Sequence, residues 1–170
     1  MKHLFILISV LITFSSCQET PQAKFHKHGV SLTSPKGWEI TEEENLDDLG
    51  YYLSIEKDGL NSSGIMTVSW VNMELDIDDW IKIHKEEMNN NTIYKNSKLE
   101  FGTKQKSTFN DIETTSLSYK ANILGVKHEG TLNFFYKNEK SFSILIQEAI
   151  EDKAENKSGF HFIEQSFNVE

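Results

Sequence analysis

The chain has 170 residues, a length typical of one folded domain. A domain of this size buries about 68–70% of its unfolded surface, so it needs neither disulfides nor a metal to fold. Its single cysteine cannot form an intramolecular disulfide. The 17 basic residues are all lysine and stand against 26 acidic residues, which gives a net charge of −9. Because recognition of phosphate and guanine relies on arginine and on basic surface, we expect no nucleic-acid partner.

The first seventeen residues have the composition of a bacterial export signal. Lys2 supplies a positive charge, residues 4–14 are almost wholly apolar, and Ser15 and Ser16 precede Cys17. A positive start, an apolar run of about 7–15 residues and small residues are typical of a cleaved signal peptide. The apolar run is too short to cross a bilayer as a helix, which takes about 20 residues.

The sequence Phe-Ser-Ser-Cys at residues 14–17 resembles the lipobox of bacterial lipoproteins. The resemblance implies that the Cys17 thiol is joined to diacylglycerol and that a peptidase then cuts before Cys17. The alternatives are an ordinary cleaved signal and a free thiol. We interpret residues 1–16 as a lipoprotein signal peptide, residues 17–24 as a lipidated tether and residues 25–170 as a single domain.

Lipidation of Cys17 predicts where the protein is located. The mature chain keeps 16 lysines and all 26 acidic residues, a net charge of −10. It has no second apolar run that could serve as an anchor, so the membrane contact is expected to be the lipid on Cys17 alone. Glu19, an acid near the anchor, resembles part of a surface-export signal. We therefore expect a lipid-anchored protein of the cell envelope, at the outer membrane, on its periplasmic face or on the cell surface.

The first part of the mature chain alternates between apolar and polar residues with the period of two that indicates β-strands. A first strand ends at Pro35, and Trp38 follows a Lys-Gly turn. Residues 65–73 are apolar on both faces, which predicts a central strand. The alternating apolar residues are Val30 and Leu32 in the first strand, and Tyr51, Leu53 and Ile55 in a later one.

A helix is predicted next. Asp76 can cap it, Asp78 and Asp79 lie in its first turn, and the asparagine run at residues 89–91 ends it. One apolar stripe follows the helical period. Its members are Ile77, Trp80, Ile81, His84 and Met88.

The second half of the chain predicts more strands and one more helix. Strand-like stretches cover residues 98–108, 112–123 and 125–137, with turns at Asn110-Asp111 and Gly125, and a fourth stretch covers residues 140–149. Strands without a repeating strand-helix-strand order predict an α+β fold, an antiparallel β-sheet sandwiched with two helices. The final helix has one apolar face, formed by Phe160, Ile163 and Phe167.

Three segments together resemble the PsbP-like fold. They are GVSLTSPKGW at residues 29–38, the helix centred on Asp79 and Trp80, and FHFIEQSFNV at residues 160–169. That group includes the PsbP subunit of photosystem II, a eukaryotic Ran-binding protein and bacterial lipoproteins such as DcrB. The resemblance spans nearly the whole mature chain. It implies the α+β fold and a non-catalytic binding or assembly module, with an envelope protein as partner.

Catalytic and metal-binding patterns are weak. The chain has no Gly-x-Ser-x-Gly motif, and its only thiol is assigned to the anchor, so we expect no enzyme, no catalytic residue and no cofactor. His26 and His28 would share one face of a strand and could join a third ligand to hold a transition metal. Because they lie beside the tether, we interpret them as solvated and predict no metal site. His84 is expected to be a hydrogen-bonded interface residue, and His128 and His161 have no identifiable partner.

Two acidic runs and a group of aromatic residues complete the candidates. Residues 41–48 and 73–79 lack the glycine and distal glutamate of a calcium-binding EF-hand loop. We interpret the first run as a solvated loop and the second as helix capping. Most of the aromatic residues are expected in the core, although a sheet face could leave a groove for a ligand or a partner. The aromatic candidates are Tyr51, Tyr52, Trp70, Phe134, Phe135 and Tyr136.

Two functions follow from the sequence. The preferred one is a membrane-anchored, non-catalytic binding or assembly module of the envelope. The alternative is an envelope enzyme or a small-ligand or metal carrier with its site on the open face of the sheet. A pocket in which polar groups converge on a perturbed histidine favours the alternative, whereas a flat aromatic or acidic patch favours the first.

Overall fold

The computed structural model describes residues 22–59 and 62–170. They form ten β-strands, two α-helices and one short 3₁₀ helix. The strands are β1 Lys24–Lys27, β2 Val30–Thr33, β3 Trp38–Asn45, β4 Gly50–Lys57, β5 Ile65–Val71, β6 Glu100–Phe109, β7 Ile112–Ile123, β8 Val126–Lys137, β9 Lys140–Ala149 and β10 Asn168–Val169. The helices are α1 Ile77–Asn90, the 3₁₀ helix Ile150–Asp152 and α2 Lys153–Ser166.

Seven strands pair in one antiparallel sheet with the order β3-β4-β5-β9-β8-β7-β6. β5 is an interior strand, as its two-sided apolar pattern predicted. Asn110 and Asp111 both have positive φ angles, 42° and 64°, in the turn between β6 and β7. Such two-residue turns match the twist of antiparallel strands, which explains why the sequence identified this one. The predicted α+β class, an antiparallel sheet with two helices, is confirmed.

A second sheet of three strands has the order β1-β2-β10. The sequence predicted only one sheet, because β10 has two residues and is too short to display a period. The N–H of Ser34 donates to the carbonyl of Ala23 at 2.8 Å, and β1 begins at Lys24. Paired backbone therefore reaches two residues before the expected domain start at residue 25.

One face of the seven-stranded sheet packs against α2 and the small sheet, and the main hydrophobic core lies there. Trp38 is 4% exposed in this core. Its indole meets the Phe160 ring edge-on, with 5.0 Å between ring centroids. A Cβ at Gly159 would lie 2.4 Å from the indole, so a glycine in the middle of α2 is required for this contact.

The first turn of α1 is fixed by its cap. The Asp76 carboxylate accepts hydrogen bonds from the N–H groups of Asp78 and Asp79 at 2.8 and 3.2 Å. The second acidic run is therefore helix capping, as the sequence predicted. α1 ends at Asn90, and the N–H of Asn91 closes its last turn by donating to the carbonyl of Glu87 at 2.9 Å.

α1 covers part of the other face of the sheet. Trp80, Ile81 and Met88 are buried there against β7 and β8, which confirms the predicted burial of Trp80. The C-terminal half of α1 leaves part of the face formed by β4, β5 and β9 open. The candidate site lies in that opening.

Candidate functional site

An open cleft of about 390 Å³ lies between the C-terminal half of α1 and the face of β4, β5 and β9. Its floor combines apolar side chains, Leu132 and Leu145, with polar ones. The polar side chains at its centre are Tyr52, Ser69, His84, Ser143 and Gln147.

His84 is held in the cleft by two hydrogen bonds. Its Nδ1 lies 3.1 Å from the carbonyl oxygen of Trp80 and its Nε2 lies 2.7 Å from Oγ of Ser143. A carbonyl can only accept, so Nδ1 carries the proton and Nε2 accepts from the Ser143 hydroxyl. Ser143 Oγ in turn lies 2.7 Å from Oγ of Ser69, which is left as the donor of that pair. Burial lowers the pKa of His84 and keeps the imidazole neutral. The predicted interface role of His84 is confirmed.

A second network forms the floor beside it. Oε1 of Gln147 accepts hydrogen bonds from the hydroxyls of Tyr94 and Tyr119, at 2.5 and 2.8 Å. Burial raises the pKa of both phenols, so they remain protonated donors. Gln147 is 6% exposed and lines the cleft, yet its Nε2 has no hydrogen-bond partner among the described residues. An amide donor is therefore directed into the cleft without a protein acceptor.

The rim of the cleft is acidic. Glu42 of β3, Glu56 of β4 and Glu87 of α1 border it. Glu56 accepts from the hydroxyls of Thr41 at 2.8 Å and Ser54 at 3.3 Å. These carboxylates give the cleft a negative field that faces the polar floor.

The two histidines near the tether do not form the predicted pair. His26 lies in β1 with its Nε2 4.0 Å from a carboxylate oxygen of Glu170, and its side chain is 66% exposed. His28 lies beyond the end of β1 with a φ of 53°, and its ring contacts the rings of Tyr51 and Trp70. The prediction that both share one face of a strand is wrong, because the chain turns at His28 and Gly29.

The other two candidate histidines lie elsewhere. His128 Nδ1 lies 3.0 Å from the carbonyl oxygen of Val126 in the β7–β8 hairpin. His161 is exposed on α2. Within residues 22–59 and 62–170, no group of three or more histidine, cysteine, aspartate or glutamate side chains is arranged to hold a metal ion.

The first acidic run, predicted as a solvated loop, is a loop only in part. Residues 46–48 lie in the turn before β4, whereas residues 41–45 belong to β3, which is at the edge of the large sheet and, among the described strands, pairs with β4 alone. Lys27 of β1, in the small sheet, forms an ion pair with Glu43 of β3. The Tyr51 hydroxyl donates to the same carboxylate at 2.8 Å. Charged side chains on an edge strand hinder pairing with a second chain, which gives the run a structural reason.

Most of the aromatic candidates are in the core, as expected. Tyr51, Trp70, Phe134 and Phe135 are each at most 3% exposed. Tyr136 is 43% exposed, at the opposite end of β8 from the hairpin with β7. Tyr52 is half-buried and is the aromatic candidate that lines the cleft.

The sequence indicated His84 but missed three residues that complete its surroundings. Ser69 and Ser143 are polar residues between apolar neighbours in β5 and β9, and Gln147 lies on the same face of β9 as Ser143, four residues further along. Their signal was the period of two. Their meeting depends on the register that places Ser69 opposite Ser143, 74 residues further along the chain.

The predicted lipidation site, Cys17, lies outside the described residues. The signal peptide and most of the tether lie outside them as well. Neither helix within the described ranges is long and apolar enough to cross a membrane.

Comparison with known proteins concerns the fold. No protein-family model matches the chain, and no curated protein matches it. The solution structure of cyanobacterial PsbP (CyanoP) from Synechocystis sp. PCC 6803 superposes with a TM-score of 0.57, at 12% identity, over 92% of this chain and 96% of that one. The chain has a PsbP-like fold. The prediction from the three motif segments is confirmed.

A second PsbP-like neighbour comes from a different bacterium. LpqN of Mycobacterium tuberculosis, described as involved in cell envelope biogenesis, superposes with a TM-score of 0.54. It is 10% identical, and the match covers 88% of this chain and 90% of LpqN. At such identities the likeness establishes the fold and leaves the function to be argued from the site.

Proposed function

We propose that this PsbP-like protein is a lipid-anchored, non-catalytic binding module of the bacterial cell envelope. The observation that carries the proposal is the cleft beneath α1, where hydrogen-bonded polar side chains converge on open space. Concave sites with a few oriented polar groups are the usual form of small-ligand sites. The fold shared with LpqN, a protein involved in cell envelope biogenesis, supports the envelope setting.

The anchor is the lipid on Cys17. Each buried CH₂ contributes about 0.8 kcal/mol to membrane binding, and one acyl chain holds a protein only marginally. The two or three chains of a bacterial lipoprotein make release negligible. The membrane is thus the first partner, at the outer membrane, and the tether leaves the folded domain free to meet a second partner in the envelope.

Three features favour binding over catalysis. Ser143 is 3% exposed, so its hydroxyl is not accessible to an acyl group. The Nδ1 proton of His84 is held by a backbone carbonyl, whereas hydrolytic serine–histidine pairs orient the imidazole with a carboxylate. The hydroxyl of Ser143 is also part of a chain that runs between Ser69 and His84. These groups shape the floor of the cleft.

The cleft also supports a small ligand over a flat protein interface. Polar groups converge on a histidine whose pKa is perturbed by burial, and that arrangement is the one expected of a small-ligand carrier. An assembly role with an envelope protein is the second candidate. The exposed acidic side chains of β3 favour it, because a patch of one charge sign is complementary to a basic surface on a partner protein.

The anchor is tested by Cys17→Ser in the native host. We expect the variant to lose labelling by radioactive palmitate and to be soluble or unprocessed after fractionation. If it is cleaved and still sediments with membranes without a partner, the anchor proposal is wrong.

The cleft is tested by Ser69→Leu, which fills the floor. Native mass spectrometry of protein taken gently from its own envelope should detect a small molecule on the wild type and not on Ser69→Leu. Ser107→Leu, on β6 and outside the cleft, is the matched control and should keep the molecule. An adduct that survives Ser69→Leu would place the binding site elsewhere.

A further inference from the structure

The side chains that line the cleft carry negative charge and no positive charge. Glu42, Glu56 and Glu87 border it, and no lysine is among the lining residues. A concave surface with one sign of charge concentrates counter-ions and repels ions of its own sign. The Tyr52 phenol senses this field, since burial and then the charge of Glu42 raise its pKa. An anionic ligand is therefore disfavoured in the cleft.

The position of Glu87 is unfavourable for the stability of α1. It lies in the last turn of α1, which contains no basic residue. The C-terminal end of a helix carries partial negative charge, so a carboxylate there is unfavourable and a cation is favourable. A positive group bound beside Glu87 would be stabilised by the carboxylate and by the helix end together.

The floor of the cleft adds neutral hydrogen-bonding groups. Gln147 is more than nine-tenths buried and directs an unpartnered Nε2 donor into the cleft. Ser69 uses its proton on Ser143, which leaves its oxygen able to accept. A ligand hydroxyl can accept from Gln147 and donate to Ser69, whereas a purely apolar ligand would leave Gln147 without a partner.

We infer that the cleft binds a small hydroxylated molecule that carries a protonated amine, of the amino-sugar class. Its ammonium group pairs with Glu87 and the other rim carboxylates, and its hydroxyls meet Gln147 and Ser69. Tyr52 and Tyr94 border the same space and offer aromatic faces to a sugar ring or a cation. The inference rests on the proposed function, because it names the ligand class of the same cleft.

Three sugars that share one ring but differ in charge test the inference. Glucosamine, glucose and glucuronate are titrated by calorimetry into the full-length protein in detergent, at a pH where the amine is protonated. Glucosamine should bind about fivefold more tightly than glucose, the effect of one partly exposed charge pair, and glucuronate should bind most weakly. Equal affinities, tightest binding of glucuronate, or no binding of any sugar would overturn the inference. Cyclohexylamine, a six-membered-ring amine with the same single charge and no hydroxyls, should bind more weakly than glucosamine, and equal binding would overturn the hydroxyl requirement.

A pair of adjacent variants locates the charge. Glu87→Gln should bring the affinity for glucosamine down to that for glucose. Glu86→Gln changes the net charge of the same helix equally but does not line the cleft, so it should leave the affinities unchanged. Glu87→Gln should be at least as stable as the wild type, since it removes a carboxylate from the negative end of α1. If the two variants respond alike, the assignment to Glu87 is wrong. Palmitate labelling and the Cys17→Ser fractionation do not involve these sugars, so failure of the sugars overturns this inference without overturning the anchor.

Discussion

Removal of the Trp80 side chain should detach α1 from the sheet. The indole is 8% exposed and belongs to the hydrophobic cluster that α1 shares with β7 and β8. It also meets the His84 ring edge-on, with 4.2 Å between centroids, so it supports the helical side of the cleft. Trp80→Ala therefore leaves a cavity beneath the helix and removes the neighbour that positions His84.

The loss of unfolding free energy in Trp80→Ala can be estimated. Truncation of a buried tryptophan to alanine costs about 3–5 kcal/mol, a large part of the roughly 5–15 kcal/mol that stabilises a domain. At about 2–4 °C per kcal/mol for a chain of this size, the melting temperature should fall by about 6–20 °C. Trp80→Phe should cost less than Trp80→Ala, because it leaves a smaller cavity. It keeps an aromatic ring and removes an indole N–H that has no hydrogen-bond partner among the described residues.

Urea denaturation followed by far-ultraviolet circular dichroism measures both variants on one scale. Trp38 and Trp70 remain in each, so fluorescence of the main core reports on the same transition. An unchanged midpoint for Trp80→Ala would mean that the contact between α1 and the sheet does not stabilise the domain. A Trp80→Phe variant as unstable as Trp80→Ala would refute the argument that the indole N–H contributes nothing favourable.

Three further perturbations have definite signs. Gly159→Ala raises helix propensity by about 1 kcal/mol. It should nevertheless lower the melting temperature, because the new Cβ would lie 2.4 Å from the Trp38 indole. A stabilised variant would contradict this packing. Asp76→Ala removes the cap of α1 and should cost about 1 kcal/mol in the same measurement, and a loss well below that would argue against the cap. Burial lowers the pKa of His84 below its ordinary 6.5, so the stability that depends on a neutral His84 is complete above about pH 6.5 and is lost as the pH falls toward the folded-state value. Urea midpoints below pH 6.5 should fall less steeply in His84→Gln than in the wild type, while the exposed control His161→Gln keeps the wild-type slope.

The sequence predicted the elements whose signals are local. The stretch expected at residues 112–123 is β7 with the same bounds, because the Asn110-Asp111 turn and the alternation that follows fix both its start and its face. The sequence indicates a loop for the whole of the first acidic run, and there is a physical reason. As part of an edge strand, residues 41–45 need no buried face and therefore show no apolar alternation. β10 was missed because two residues acquire strand geometry only by pairing with β2.

The candidate site was harder to predict than the fold. His84 could be placed by its helical spacing with Trp80, but its hydrogen-bond partner Ser143 is 59 residues away in the chain. Gln147 becomes recognisable as a site residue only in the folded chain, where it accepts a hydrogen bond from Tyr94, which follows α1. A site formed by polar residues on separate strands has no contiguous motif, so its signal appears only when the strand order is known.

The two faces of the sheet are under different constraints, and this bears on function. The face against α2 is filled by large side chains such as Trp38 and Phe160, and exchange of any one costs several kcal/mol. The part of the other face beyond α1 holds polar residues such as Thr67 and Ser69, whose exchange costs the fold little. This asymmetry means that a ligand of the cleft would be selected by residues that the fold does not fix, so the fold shared with CyanoP and LpqN does not identify that ligand.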